Sequence, residues 1–200
     1  ELAMVRLVEV ANGKRPPEDL AQVILVDRKD RLRIRKDAKP QAGDIDVIPA
    51  YDLLPIAEMS KYGTVGAFYC FKPRGTVFAT VLSNRGCRAQ CTFCSVRTFN
   101  GVGVRQRSIG SVIEEIERLR DMGTRHIMWL DDDLLKDHKR AIGLFNEIVR
   151  RGIDITWDAT NGLIAASCED EVVAAMAASG CIAVNIGMES GNPQILRQIK

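Results

Sequence analysis

The chain has 200 residues, 46% hydrophobic and 27% charged, with a formal net charge of +2. Those proportions exclude a disordered or low-complexity chain and match a soluble globular protein long enough to bury a sizeable core. The charge balance gives no footprint for nucleic acid or anionic lipid, no apolar run reaches the length of a membrane span, and no signal peptide opens the sequence.

Residues 1–75 are too thin to hold a core of their own. ELAMVRLVEVANG predicts a helix, and VILVDRKDRLRIRK predicts a hairpin turning at DRKD. PAYDLLPIAEMSKYG predicts an irregular, proline-bearing connector. We expect 1–75 to be the tail of an upstream domain plus a linker, and 76–200 to be a second domain, incomplete at its C-terminus. Glu1 at the start, and Lys200 ending inside a helical pattern, give the expectation of a piece of a longer protein. Arg31, Arg33 and Arg35 alternate with Leu32 and Ile34, the pattern of a solvated strand face rather than of a nucleic-acid grip.

From residue 76 one plan repeats. TVFATVLSN is a β-rich run, and SIGSVIEEIERLRDMG has helical apolar spacing, with Ser108 placed as N-cap and Gly123 as C-cap. HIMWLDDD is a second strand, followed by the helix KRAIGLFNEIVRRG. IDITWDAT is a third strand, followed by the helix EDEVVAAMAASG. CIAVNIGMES is a fourth strand, and NPQILRQIK opens a fourth helix with Pro193 in its first turn. Strands alternating with helices predict right-handed βαβ units and one parallel sheet. Four such units do not close an eight-stranded barrel, which takes about 250 residues. Ligands of parallel α/β sheets gather at the carboxyl ends of the strands. There the sequence places a cysteine loop after strand one and Asp131, Asp132 and Asp133 after strand two. Asn161 follows strand three, and Glu189 and Ser190 follow strand four.

The cysteine loop is SNRGCRAQCTFCSV, residues 83–96, with Cys87, Cys91 and Cys94 spaced CxxxCxxC. Cys70, Cys168 and Cys181 stand apart from it. This is not the cysteine density of a stapled secreted domain, so a reduced, cytoplasmic setting is expected, where clustered thiols mean metal or catalysis. A structural zinc site wants four ligands, and Cys70 or His126 would have to supply the fourth. A redox CxxC pair would leave Cys87 without a role. An iron–sulfur cubane normally takes four thiolates, and three leave one iron open to a ligand.

At these residues the sequence resembles the radical S-adenosylmethionine (SAM) enzymes. CRAQCTFC matches their CxxxCxΦC signature, with Phe93 at the aromatic position. SNRGC, VRQRS, WLDDDLL and GMESGNPQILRQIK, in that order, are similar to the cobalamin-binding branch of the superfamily. PAYDLLPIAEMSKYG resembles the link between a cobalamin domain and a radical SAM core. The resemblance implies a partial (βα)6 barrel of TIM-like type, cut short after about four units. It implies a 4Fe–4S cluster on Cys87, Cys91 and Cys94, whose open iron chelates SAM. Reductive cleavage of SAM would then drive methylation, cyclisation or oxidation of a small-molecule substrate, with cobalamin in the full-length protein and a flavodoxin or ferredoxin as electron donor. It places Asp131 or Asp132 at the SAM amino group, Glu189 and Ser190 at its ribose or methionine part, and Phe93 near the adenine. It names no catalytic residue, which stays unknown. The expected alternatives are a tRNA-modifying methylthiotransferase of the same superfamily and, further off, a zinc-binding nucleic-acid module.

Each candidate has a plainer reading. Asp133 or Asp137 would cap a helix. Arg105 and Arg107 would place a carboxylate or serve the fold. His126, Trp129, Trp157, Cys168 and Cys181 read as core. GVG at 101–103 lacks the surroundings of a phosphate loop.

Overall fold

The computed structural model describes residues 2–20, 24–26, 32–34, 45–62 and 72–199. Cys70 lies outside the described residues, as do the hairpin turn and Arg31 and Arg35. The chain divides into two compact units, Glu1–Ile45 and Asp46–Lys200.

In the first unit, α1 (Leu2–Ala11) is followed by a single 3-10 turn at Pro17–Asp19. The strands β1 (Ile24–Val26) and β2 (Leu32–Ile34) pair antiparallel, Leu25 opposite Arg33. Arg15 holds this segment locally, with Nε on Glu9 at 2.8 Å and a second guanidinium nitrogen on Asp19 at 3.2 Å.

The second unit is built on four parallel strands in the order β3 (Phe78–Val81), β6 (His126–Trp129), β7 (Thr156–Leu163) and β8 (Cys181–Ile186). Sequential neighbours in register, Phe78 opposite His126 and His126 opposite Thr156, are what right-handed βαβ crossovers produce. The crossovers are α4 (Ile109–Asp121), α5 (His138–Arg150) and α6 (Asp170–Ala178), and α7 (Pro193–Ile199) follows β8. A two-residue antiparallel ladder joins β4 (Asn84–Arg85) to β5 (Arg105–Gln106), with the short helix α3 (Val96–Asn100) between them.

The helices form where the sequence places their caps. Ser108 accepts from the amide of Ser111 at 3.2 Å, and Asp137, not Asp133, accepts from the amide of Arg140 at 3.0 Å. Val112, Ile113, Ile116 and Leu119 of α4 and Leu144, Phe145 and Ile148 of α5 are buried against one face of the sheet with Val81, Ile127, Trp129 and Trp157. Trp157 stacks on Phe145 with ring centres 5.0 Å apart and meets Trp129 edge-on, and its indole N–H donates to Ser179 Oγ at 3.0 Å. The tryptophans are core, as expected. His126 is satisfied core too, its ring nitrogens 2.8 Å from Thr156 Oγ1 and 3.0 Å from Asp158 Oδ2.

The connector at 46–62, with its single-turn helix α2 (Ile56–Met59), belongs to this unit. Tyr51 and Ile56 enter the core, and the connector covers the free edge of β3. Ser60 Oγ donates to Phe78 O and accepts from Phe78 N, while the Tyr51 hydroxyl reaches Thr80 O at 3.4 Å. The outward backbone groups of an edge strand are thereby satisfied by side chains. The Tyr51 hydroxyl also donates to Glu115 Oε1 at 2.5 Å, and the second oxygen of that buried carboxylate is paired with Arg107. Arg107 therefore serves the fold.

Candidate functional site

The four strands run in one direction, so the carboxyl ends of β3, β6, β7 and β8 share one rim. The cysteine loop leaves that rim after β3 and returns through α3 and β5. Gly86, at φ +89°, opens it: a Cβ there would collide with Gly103 O, so only glycine lets the two arms of the loop close at their base. Cys87 and Cys91 are half-buried and Cys94 is exposed, and among the described residues every cysteine is a free thiol. Burial pushes the Cys87 thiol up, and the charges of Asp133, Asp132 and Cys91 push the same way against one hydrogen bond from the amide of Ala89. Phe93, between the second and third thiols, is 59% exposed, so it is not packed into the core.

Three consecutive aspartates after β6 grip this loop. Asp131 is 2% exposed and accepts from the amide and hydroxyl of Ser83, at 2.9 and 2.6 Å. Burial raises its carboxyl to about 6, against the opposing pull of those bonds, a bond from the Asn84 amide and the nearby Arg140 charge. Asp132 is half-buried. Its Oδ2 accepts from the amide of Gly86 at 2.9 Å and from Asn100 Nδ2 at 2.7 Å. Asp133 Oδ2 accepts from the amide of Arg88 at 3.2 Å, pairs with Arg88 Nε at 3.2 Å and lies 3.9 Å from Cys87 Sγ. Asn84 Nδ2 donates to Asp133 O at 3.0 Å. Arg140 ties the same corner to α5, donating to Ser83 O at 3.1 Å and Arg107 O at 2.8 Å.

Asn161 lies inside β7 rather than after it, because the strand runs past Thr160 to Leu163. Its amide donates to Leu130 O at 3.3 Å and Asp131 O at 3.2 Å, which braces the aspartate turn. Glu189 and Ser190 follow β8. Glu189 is exposed and holds φ +62°, a left-handed conformation rare for a residue with a side chain. Ser190 Oγ accepts from the Asn192 amide at 3.0 Å. Arg105 donates to Asn100 O at 3.0 Å and so also serves the loop.

The donor set fits an iron–sulfur cluster in its chemistry: three unpaired thiols, two of them half-buried, on one glycine-opened loop at the strand ends. Among the described residues no three Cys, His, Asp or Glu side chains stand close enough together to hold a metal ion, so the thiols would converge as they bind. Sequence reasoning missed the roles of Ser83, Asn100 and Arg88, whose partners lie 32 to 48 residues away along the chain. No helix among the described residues is long and apolar enough to cross a membrane.

Residues 81–200 match the Radical SAM superfamily. The whole chain is 33% identical to an uncharacterized methyltransferase of Pyrococcus horikoshii and 30% identical to the cytidylyl-2-hydroxyethylphosphonate methyltransferase of Streptomyces wedmorensis, spanning 40% of the length of each. It superimposes over its full length on 39% of the radical S-adenosylmethionine methyltransferase TsrM from Kitasatospora setae, solved with cobalamin and a [4Fe-4S] cluster bound, with a TM-score of 0.76 at 20% identity. The sheet is therefore part of a TIM-like barrel of the radical SAM type. With the superfamily match covering more than half of its length, the chain belongs to the Radical SAM superfamily of enzymes.

Proposed function

We propose that this chain carries the cluster and SAM site of a methyltransferase in which Cys87, Cys91 and Cys94 hold a 4Fe–4S cluster, and that cobalamin is bound elsewhere in the full-length protein. The observation that best supports this reading is the placing of three free thiols on one loop at the carboxyl end of β3, beside the aspartates that follow β6. The methyltransferase names of the relatives, and the cobalamin and cluster of the structural neighbour, support the same reading.

Reduced, such a cluster supplies the electron that breaks a carbon–sulfur bond of SAM. The chain's own residues bind and orient. The three thiols give up their protons to become ligands, so metal uptake strengthens as pH rises. Glu189 offers a carboxylate, and Ser190 a hydroxyl, to the ribose or methionine part of SAM. Asp132, half-buried at the loop, is more open to an ammonium than the buried Asp131, whose oxygens are taken by Ser83. The exposed ring of Phe93 offers a face to adenine. A small-molecule substrate, a flavodoxin or ferredoxin as electron donor, and a cytoplasmic location complete the proposal.

Anaerobic reconstitution with iron and sulfide tests it. About four irons per chain are expected, and Cys87→Ala, Cys91→Ala or Cys94→Ala should each strip most of them. Undiminished iron in Cys91→Ala, or tightly held zinc without sulfide, would overturn the assignment.

A further inference from the structure

The geometry points to Asp132 as a positioning residue that sutures the base of the cysteine loop, so that the two ends of the segment carrying the three thiols are already closed before any metal draws the thiols together. This rests on the reading that the loop is the cluster loop. The observation is specific to one oxygen. Asp132 Oδ2 accepts from the Gly86 amide, immediately before Cys87, and from Asn100 Nδ2, at the end of the helix that follows Cys94. The two donors bracket all three cysteines, so one acceptor atom closes an excursion of thirteen residues, 87–99, between them.

The neighbours hold the same segment at successive points. Asp131 takes Ser83, Asp132 takes Gly86 and Asp133 takes Arg88, so the loop advances as the aspartates advance. Beneath them the β4–β5 ladder and the glycine contact between Gly86 and Gly103 close the stem. Of the three, Asp132 alone bonds to both arms of the loop. Closing a loop in advance removes its closure entropy from the binding step, and a charged acceptor in a half-buried place makes the strongest such tie.

The role requires an acceptor at this position and not a charge. Asp132→Asn keeps an oxygen that can accept from both donors, whereas Asp132→Ala removes it. A carboxylate serving the SAM ammonium would behave differently, because charge is then what matters. The two variants therefore separate the roles.

The test is the rate at which a thiol reagent labels the iron-free protein under reducing, anaerobic conditions, with each cysteine read by mass spectrometry, followed by the rate of iron and sulfide uptake. Loss of a hydrogen bond to a charged group should raise the open population of the loop about ten- to a hundredfold. Asp132→Ala should accelerate labelling of Cys87 and Cys91 by that factor and slow cluster assembly, and Asp132→Asn should restore both towards the parent. Asn100→Ala, which cuts only the far arm, should reproduce part of the effect even if Asp132→Ala proves too unstable to purify. Parent-like labelling in Asp132→Ala or in Asn100→Ala would overturn the suture, and so would an Asp132→Asn that behaves like Asp132→Ala. Should the parent take up no iron, the cluster reading fails, while the labelling rates still decide the suture.

Discussion

Asp131 is buried so completely that its carboxyl is pushed up to about 6. Between about pH 4 and 6 the unfolded chain ionises this group and the folded chain keeps its proton, so stability falls as pH rises through that window. Above it the buried charge costs about 3 kcal/mol. Asparagine at this position can still bond to Ser83 without that charge. The stability of Asp131→Asn minus that of the parent, from urea unfolding at a series of pH values, should therefore rise by about 2 kcal/mol between pH 4 and 7. A difference that stays flat would contradict the ionised, buried state.

Glu189 makes a second prediction at this scale. A side chain held at φ +62° costs on the order of 1 kcal/mol that glycine does not bear. Glu189→Gly should stabilise the fold by about that amount, yet weaken SAM binding about ten- to a hundredfold if the carboxylate is a ligand. Stabilisation with unchanged SAM affinity would leave Glu189 without a ligand role.

At the scale of elements, the connector is as much a part of the sheet as its strands. Tyr51→Phe removes the hydroxyl that donates to Glu115 Oε1 at 2.5 Å and leaves a buried carboxylate short of one partner, at a cost of about 1–3 kcal/mol in urea unfolding. Parent-like stability would mean that water replaces the hydroxyl. Gly180, where α6 turns into β8, has φ +95°, and a Cβ there would meet Ile155 O at 2.5 Å. Gly180→Ala should cost at least about 1 kcal/mol, through strain and displacement of Ile155.

The βα order was legible in the sequence because strand and helix periodicity, Ser108, Asp137 and the terminal glycines carry local signals. The three thiols were legible for the same reason: their spacing is short. The β4–β5 ladder was not, since a two-residue pairing across twenty positions has no periodicity to read. The work of Asp131 to Asp133 was hidden likewise. An aspartate reads as a cap or a ligand until the distant amides of Ser83, Gly86 and Arg88 are brought beside it. Asn161 was misplaced by a strand end that β-propensity fixes poorly, through a polar residue and a glycine.

For the whole molecule, what matters is the convergence of separate βα units on one rim. The chain spans 40% of the length of the two methyltransferases it matches over its whole length, so substrate and cobalamin contacts are proposals. The central proposal is that this chain itself holds a cluster on Cys87, Cys91 and Cys94 with one iron open to SAM. The most direct measurement is the electron paramagnetic resonance spectrum of the reconstituted, reduced protein, recorded without and with SAM. The expected result is the signal of a reduced 4Fe–4S cluster whose shape changes when SAM is added, because SAM takes the open iron. A reduced cluster whose spectrum is untouched by saturating SAM would contradict it.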